Sequence, residues 1–452
     1  MRGEVSGRRG WLLALLLLVL AARPAAAQPC PDCLQAGAAR VALRVPAGTP
    51  LAGYGAMARR LLIPDVFGRY PHAFWFKPSL GERDPLAARA LVLEAGDARV
   101  ALVALDLLAV DRPFTADVER RLAAAGVRPV TLVLSASHTH SGPGAFVDSA
   151  VLGWLAVDRL DRDVREALLD SVVDAVRRAD AARAPARVAA GDITAPPLTV
   201  SRLRQPLDAE LLVLRVTRPD GAPVALVWNY AIHGTMLGAG NQRLSADVMG
   251  EASAVLERGL GAPALFVNGA VGDVSPAHHG DRAAHDIGAE LAAAVRRGWE
   301  AAEPVGPPAL RVAGRAVTLP APRLSIKNCV GGWAPAALTL PLRSVFPRQS
   351  ALTAVAVGDT ALVTVPGELQ TRLGLAVKQA GRAHFARTLV AGLSNDYLGY
   401  FVTSSDYARA GYVTCATLYG PRTGECLAGA AAGLLTALAR GGRPTAAACD
   451  RG

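Results

Sequence analysis

The sequence predicts an α/β chain, mixed and layered: one large domain with a metal site at the ends of its strands. Three observations predict this. Short apolar, strand-like runs alternate with amphipathic, helix-like stretches, as in sheets covered by helices. Several apolar runs end in polar, chemistry-bearing residues, and sites of layered α/β folds collect at strand ends. The chain has 452 residues and no internal repeat, enough for one large domain or two ordinary ones, and we take one.

In order, Arg99 to Ala109 reads as a strand with Asp106 near its end, and Phe114 to Ala125 as a helix. Val130 to Leu134 is a buried strand, and Arg162 to Ala179 a long amphipathic helix. Leu211 to Val216 and Val224 to Tyr230 are strands around a Pro-Asp-Gly turn. Asp247 to Leu260 is a helix, Ala264 to Val267 a strand, and Arg282 to Arg297 a helix. The Pro-rich stretch from Ala302 to Pro322 reads as a linker or long crossover. Leu352 to Val357 and Thr360 to Val365 form a hairpin across Gly358-Asp359. Glu368 to Ala380 is a helix, and Thr388 to Leu393 the last strand.

The first residues carry Arg2, Arg8 and Arg9, an apolar stretch from Trp11 to Ala22, and Ala25-Ala26-Ala27. That is the pattern of a secretory signal peptide over residues 1–27, cleaved after Ala27, and it predicts a secreted or periplasmic mature chain, residues 28–452. The apolar stretch is shorter than the roughly 20 residues a membrane span needs. Formal net charge is +10. The leader's four arginines and one glutamate account for three of those charges, leaving +7. Lys77, Lys327 and Lys378 are the only lysines, and no Lys/Arg run with interleaved aromatics occurs. Nucleic-acid binding is therefore not expected, whereas peripheral contact with an anionic membrane surface is.

Six cysteines suit an oxidising compartment. Cys30-Pro-Asp-Cys33 has no second Cys-x-x-Cys to complete a metal knuckle. It reads as a structural disulfide or as partners for Cys329 or Cys449. Cys415 and Cys426 flank the turn formers Tyr419 to Gly424 and are the first expectation for a short disulfide loop.

The chemistry gathers after the strands. Ser137-His-Thr-His-Ser-Gly-Pro-Gly144 follows Val130 to Leu134. Residues two apart on a strand point the same way, so His138 and His140 can face one site. Neutral imidazole is the commonest zinc ligand among side chains. The plain alternative is two exposed loop histidines. His233 follows the strand ending at Tyr230, and Glu368 follows the hairpin. Alone, His233 reads equally as a core histidine, and Glu368 as a charge complementing a helix N-terminus.

Asn229-Tyr-Ala-Ile-His-Gly-Thr235, Leu244 to Gly250, Asn268 to Pro276, Val365-Pro-Gly-Glu368 and Gly392 to Tyr400 follow the histidine block in one order. Tyr407, Tyr412 and Thr417-Leu-Tyr-Gly-Pro421 extend the series. This ordered set, from about Gly53 to Ala430, resembles the neutral/alkaline non-lysosomal ceramidases. The resemblance implies a catalytic domain that uses Zn²⁺ to split the N-acyl bond of ceramide into sphingosine and a fatty acid. It implies His138, His233, Glu368 and Tyr400 as the zinc ligands. It implies His140, Ser275, Tyr412 and Arg202 as further active-site residues. Departures are Gly234 and Ala277 where the family has Pro and Asn, and an altered motif around Arg202. The family's C-terminal β-sandwich domain is expected to be missing.

The expected function is therefore a secreted zinc amidohydrolase acting on ceramide or a related N-acyl lipid. The alternatives are a zinc hydrolase of another envelope amide or ester, and a non-catalytic envelope binding module on the same fold. A lipid amide also needs an apolar groove, for which Phe146, Val147, Trp154, Phe74, Trp75 and Phe76 are the candidates. Oligomeric state is not legible.

Overall fold

The computed structural model describes residues 30–450 apart from 308 and 332. The expected leader and its cleavage point lie outside the described residues. The chain divides into two units, Met1–Pro31 and Asp32–Gly452, and the architecture below is that of the second.

A first sheet comprises β1 (Leu34–Ala42), β2 (Ala87–Ala95), β3 (Ala98–Leu105), β4 (Thr131–Ala136), β5 (Ala184–Thr194), β6 (Glu210–Thr217), β7 (Pro223–Tyr230) and β8 (Ala264–Asn268). Their spatial order is β4-β3-β2-β1-β5-β6-β7-β8, with Glu303–Pro304 paired to β5. The edge pairs β3/β4 and β7/β8 are parallel, and the rest are antiparallel. A second mixed sheet holds β9 (Leu310–Thr318), β10 (Gln349–Val357), β11 (Thr360–Thr364) and β12 (Arg387–Ala391), with Ala447–Ala448 at its edge.

The two sheets face each other, and helices cover their outer faces. Strand alternation explains how. On β3, Val100, Leu102 and Ala104 enter the core between the sheets, with Leu310, Val355 and Leu362 of the second sheet. Ala101, Val103 and Leu105 of the same strand face the helices α1 (Arg112–Ala124) and α2 (Arg162–Ala181). Both faces are dry, so the strand reads as a continuous apolar run rather than an alternating one. The outer face of β6 to β8 packs against α3 (Asp247–Leu260) and α4 (Asp281–Glu300). The second sheet carries α5 (Thr371–Arg382) and α6 (Thr423–Ala439). The result is a four-layer α/β/β/α sandwich, the expected class made specific.

Helix starts follow side-chain caps. The Asp111 carboxylate accepts from Phe114 N at 2.8 Å, so α1 begins at Arg112, earlier than the periodicity implied. Asp161 accepts from Val164 N at 3.1 Å and starts α2. Asp106, at the end of β3, is structural. The buried Arg89 donates to the buried Asp106 from Nη1 at 2.8 Å and to the half-buried Glu257 from Nε at 2.6 Å.

Four expectations need correction. The stretch from Ala302 to Pro322 is not a linker but contains β9, whose arginines hid its alternation. Their guanidiniums reach backbone carbonyls, Arg311 at Gly358 and Arg315 at Ala430 and Thr445. Glu368 does not open a helix. Glu368–Leu369 is a short strand parallel to Tyr400–Phe401, and α5 starts only at Thr371. The Cys415–Cys426 bond is not formed. Cys415 pairs with Cys329 and Cys426 with Cys449. The turn formers between Cys415 and Cys426 start α6, which carries Cys426 away to the sheet edge beside Ala447–Ala448. The remaining two, Cys30 and Cys33, are disulfide-bonded, so Cys329 and Cys449 are not their partners. Among the described residues, no helix is long and apolar enough to cross a membrane.

Candidate metal centre

Side-chain amides tie the strand ends together. Asn268, the last residue of β8, donates from Nδ2 to Ser137 O at 2.9 Å and to Ile232 O at 3.0 Å. One amide thus joins the segment carrying His138 to the segment carrying His233. His140 N donates to Gly234 O at 2.8 Å, and Thr139 bridges Gly234. A side chain at position 234 would bring its Cβ within 2.5 Å of His138 O, which requires glycine there. Asn395 ties the loop after β12 to β4, accepting from Leu134 N at 2.7 Å and donating to Leu132 O at 3.1 Å.

His138 and His140 share a site, but not as strand neighbours. β4 ends at Ala136, and His138 takes a left-handed backbone with φ of 69°. Such a conformation in a non-glycine residue stores about 1–3 kcal/mol of strain. It persists because His138 N donates to Leu107 O at 3.0 Å and Nδ1 to Leu108 O at 2.7 Å. A carbonyl only accepts, so Nδ1 carries the proton. In neutral His138 the Nε2 lone pair is then aimed at the site.

That lone pair meets two more ring nitrogens and a carboxylate. His138 Nε2 lies 3.1 Å from His233 Nε2 and 3.4 Å from His140 Nε2. Glu368 Oε1 is 3.4 Å from His138 Nε2, and its Oε2 is 3.8 Å from His233 Nε2. All four side chains are buried. Burial first, then electrostatic repulsion from a proton shared with His138 and from Arg202, lowers the His140 and His233 imidazoles well below the ordinary histidine range. Glu368 Oε2 finds no hydrogen-bond partner among the described residues. Three imidazole nitrogens and a carboxylate, all buried, converge here, a set of ligand atoms that suits a cation. Donors around a tetrahedral zinc with bonds of about 2.1 Å stand about 3.4 Å apart, so the residues present fit that ion.

The remaining expected residues form a group on Glu368's side. Parallel pairing sets Tyr400 opposite Glu368. The ribbon Thr199–Ser201 against Val274–Pro276 brings Arg202 to Ser275. Arg202 donates from Nε to Ser275 Oγ at 2.7 Å and from Nη1 to Tyr400 Oη at 3.3 Å. Burial, then the Glu368 carboxylate, raises the Tyr400 hydroxyl well above its usual value. Tyr412 packs edge-on against Tyr400 with ring centroids 5.8 Å apart, and its own ring is exposed.

By position His140 joins the imidazole group, and the sequence reading missed three of its supports. Tyr397 Oη donates to Glu368 Oε1 at 2.8 Å. Tyr54 lies against the His140 ring, centroids 4.8 Å apart. The buried Arg59 donates to His140 O at 2.6 Å. Tyr397 lay inside a recognised motif, whereas Tyr54 and Arg59 come from an irregular segment with no signal of its own. Gly53 in that segment has φ of 102°, and a Cβ there would stand 2.7 Å from the His140 ring.

A cavity of about 100 Å³ opens on His138, His140 and Glu368, and Phe146, Val147, Tyr397 and Tyr412 line it too. A neighbouring cavity of about 450 Å³ shares Asp111, Val147, Leu152 and Tyr397 with it. Of the expected groove residues only Phe146 and Val147 line the first cavity. Phe74, Trp75 and Phe76 instead turn their amides onto the Asp158 carboxylate at 2.9–3.1 Å, and Trp154 is exposed.

Fold and site define a layered α/β protein with a buried, metal-fitting histidine cluster at its strand ends. Residues 77–294, just under half of the chain, match the family described as neutral/alkaline non-lysosomal ceramidase, N-terminal. The matched stretch holds His138, His140, Arg202, His233 and Ser275, while Glu368, Tyr400 and Tyr412 lie beyond it. A neutral ceramidase of Mycobacterium tuberculosis is 27% identical over 232 residues, 43% of this chain and 36% of that protein. A neutral ceramidase of Pseudomonas aeruginosa is 29% identical over 211 residues, 42% and 31% of the two chains. These matches thus span about a third of those relatives' lengths. The crystal structure of neutral ceramidase from Pseudomonas aeruginosa superposes with a TM-score of 0.78 at 20% identity, covering 92% of this chain and 76% of that one.

Proposed function

We propose that the chain is an exported, zinc-dependent amidohydrolase that cleaves the N-acyl bond of ceramide to sphingosine and a fatty acid. The observation that carries this reading is the convergence of the buried His138, His140, His233 and Glu368, three of which line a cavity wall. The match of residues 77–294 to the ceramidase family model supports the substrate class. The leader pattern and the disulfides support export.

His138, His233, Glu368 and Tyr400 would hold the ion, whose contribution is Lewis acidity toward a carbonyl oxygen and acidification of a water. His140, kept neutral by burial, can take a proton from the attacking water and pass it to the departing amine. Ser275 Oγ accepts from Arg202, which leaves its own hydrogen free to donate. Among the described residues its hydrogen-bond partner is an arginine and not a histidine or carboxylate, so Ser275 orients substrate rather than attacking it. Tyr412, at the mouth, offers a hydroxyl to the developing oxyanion. The cavity at the cluster suits an amide head, and the adjoining cavity of about 450 Å³ gives an aliphatic chain somewhere to go.

The test is hydrolysis of detergent-dispersed ceramides by zinc-loaded protein, with and without chelator. Release of sphingosine that chelator abolishes and zinc restores is the expected result. If short- and long-chain ceramides both survive while a non-lipid amide or ester is cleaved, the substrate assignment fails.

A further inference from the structure

We propose that the face formed by Met57, Leu62, Ile63, Val66, Phe67 and Trp154 is a docking surface for an anionic lipid bilayer. The inference deepens the lipid-substrate reading above and stands on surface features of its own. These six side chains are between 53% and 91% exposed. Four of them, Leu62, Ile63, Val66 and Phe67, fall within six consecutive residues. A concentrated apolar patch of this kind on a folded surface marks an interaction site rather than scattered exposure.

The exposure is built in. Leu61 N donates to Trp75 O at 3.1 Å and Asp65 N to Phe74 O at 2.9 Å, so the loop is pinned at two points. Inside it, the buried Asp65 carboxylate accepts from Tyr70 N at 2.6 Å. The three amides after Ala73 are held in turn by Asp158. The apolar side chains therefore point outward from a fixed frame. A membrane-binding loop needs that, because little conformational entropy is lost on insertion.

The patch borders the catalytic cavity. Gly53 N donates to Ala156 O at 2.8 Å, and the Arg60 guanidinium reaches the carbonyls of Trp154 and Leu155. The same guanidinium lies over the Trp154 ring at 5.1 Å and the Phe76 ring at 4.8 Å. Gly53 and Ala156, on this seam, also line the cavity that holds His138 and His140. A bilayer seated on the patch would thus meet the cavity wall.

Charge selects the partner. From Ala56 to Ser79 the one acidic residue is the buried Asp65, 3.5 Å from the Arg69 guanidinium, and among the described residues Arg60 and Lys77 donate only to backbone carbonyls, so the segment stays net positive. Apolar residues with an interfacial tryptophan and a basic flank match an anionic lipid surface. A soluble acidic protein would satisfy the arginines but leave Leu62 and Phe67 without an apolar partner.

The experiment measures co-sedimentation of the full chain with vesicles free of ceramide, in chelator, so absence of hydrolysis has no bearing on it. Vesicles of phosphatidylcholine containing phosphatidylglycerol are compared with phosphatidylcholine alone. The parent should partition to the mixed vesicles. The double variant Leu62→Ser/Phe67→Ser should lose about tenfold or more in partitioning with its melting temperature unchanged. Arg69→Gln should weaken binding to the mixed vesicles only. The proposal is overturned if the parent stays in solution or the double variant partitions like the parent. It is equally overturned if the parent sediments as a dimer that the double variant dissolves, since a second copy would then be the occupant.

Discussion

Replacing Tyr397 by Phe removes one oxygen and leaves the ring, so it isolates a single hydrogen bond. That bond runs from Tyr397 Oη to Glu368 Oε1 at 2.8 Å inside the fold. Glu368 Oε2 has no hydrogen-bond partner among the described residues, so Tyr397 is the main donor that fixes the carboxylate. Two effects oppose each other. Loss of a donor makes the carboxylate more basic, which strengthens a metal bond. Loss of orientation frees the carboxylate to turn, which weakens it. Hydrogen bonds to charged groups contribute about 1.5–3 kcal/mol, and removing the outer partner of a metal ligand typically weakens binding about 10–100-fold. Orientation therefore wins, and Tyr397→Phe should bind zinc about 10–100-fold less tightly in a competition titration with a chromogenic chelator. The metal-free variant should also be less stable, since its buried carboxylate has lost a donor. Unchanged zinc affinity together with an unchanged metal-free melting temperature would refute this reasoning.

Cys415→Ser should lower stability by about 2–4 kcal/mol, because the bond to Cys329 spans 86 residues of sequence. Non-reducing peptide mapping should recover the 329–415 and 426–449 pairs, and a 415–426 peptide would contradict the fold. Burial raises the Asp247 carboxyl from 3.8 to about 6, above its unfolded value. Its contribution to stability is then fully present below the unfolded pKa and is lost as pH rises through about 6. Lowering the pH from about 7 to about 5 should therefore stabilise the parent relative to Asp247→Asn by about 1 kcal/mol in denaturant titrations. A difference between the two proteins that does not vary with pH would count against the assignment.

What the sequence disclosed depended on how each element keeps its pattern. Helices α2, α3 and α4 carry amphipathic faces and were legible nearly to the residue. Helix α6 is apolar nearly all round, against a sheet and α5, so it shows no helical period and was missed. Strands β1, β2 and β5 are rich in alanine, a poor strand former, and exist through pairing with distant neighbours. At the site, the histidines were visible because histidine is rare here and they follow strands, whereas Glu368 stood out only through the ordered motif series. His138 was expected to extend its strand, but contacts with Leu107 and Leu108, distant in sequence, hold it in a left-handed turn. The disulfide partners were illegible for a similar reason, since long-range packing and not spacing decides which cysteines meet.

The central claim is that these strand ends hold a zinc ion, and metal analysis of the purified chain tests it most directly. Protein loaded with zinc and desalted should retain one zinc per chain. His233→Ala, folded by circular dichroism, should lose both the metal and any hydrolytic activity. A parent that retains no zinc, or a folded His233→Ala that keeps stoichiometric zinc and full turnover, would contradict the account.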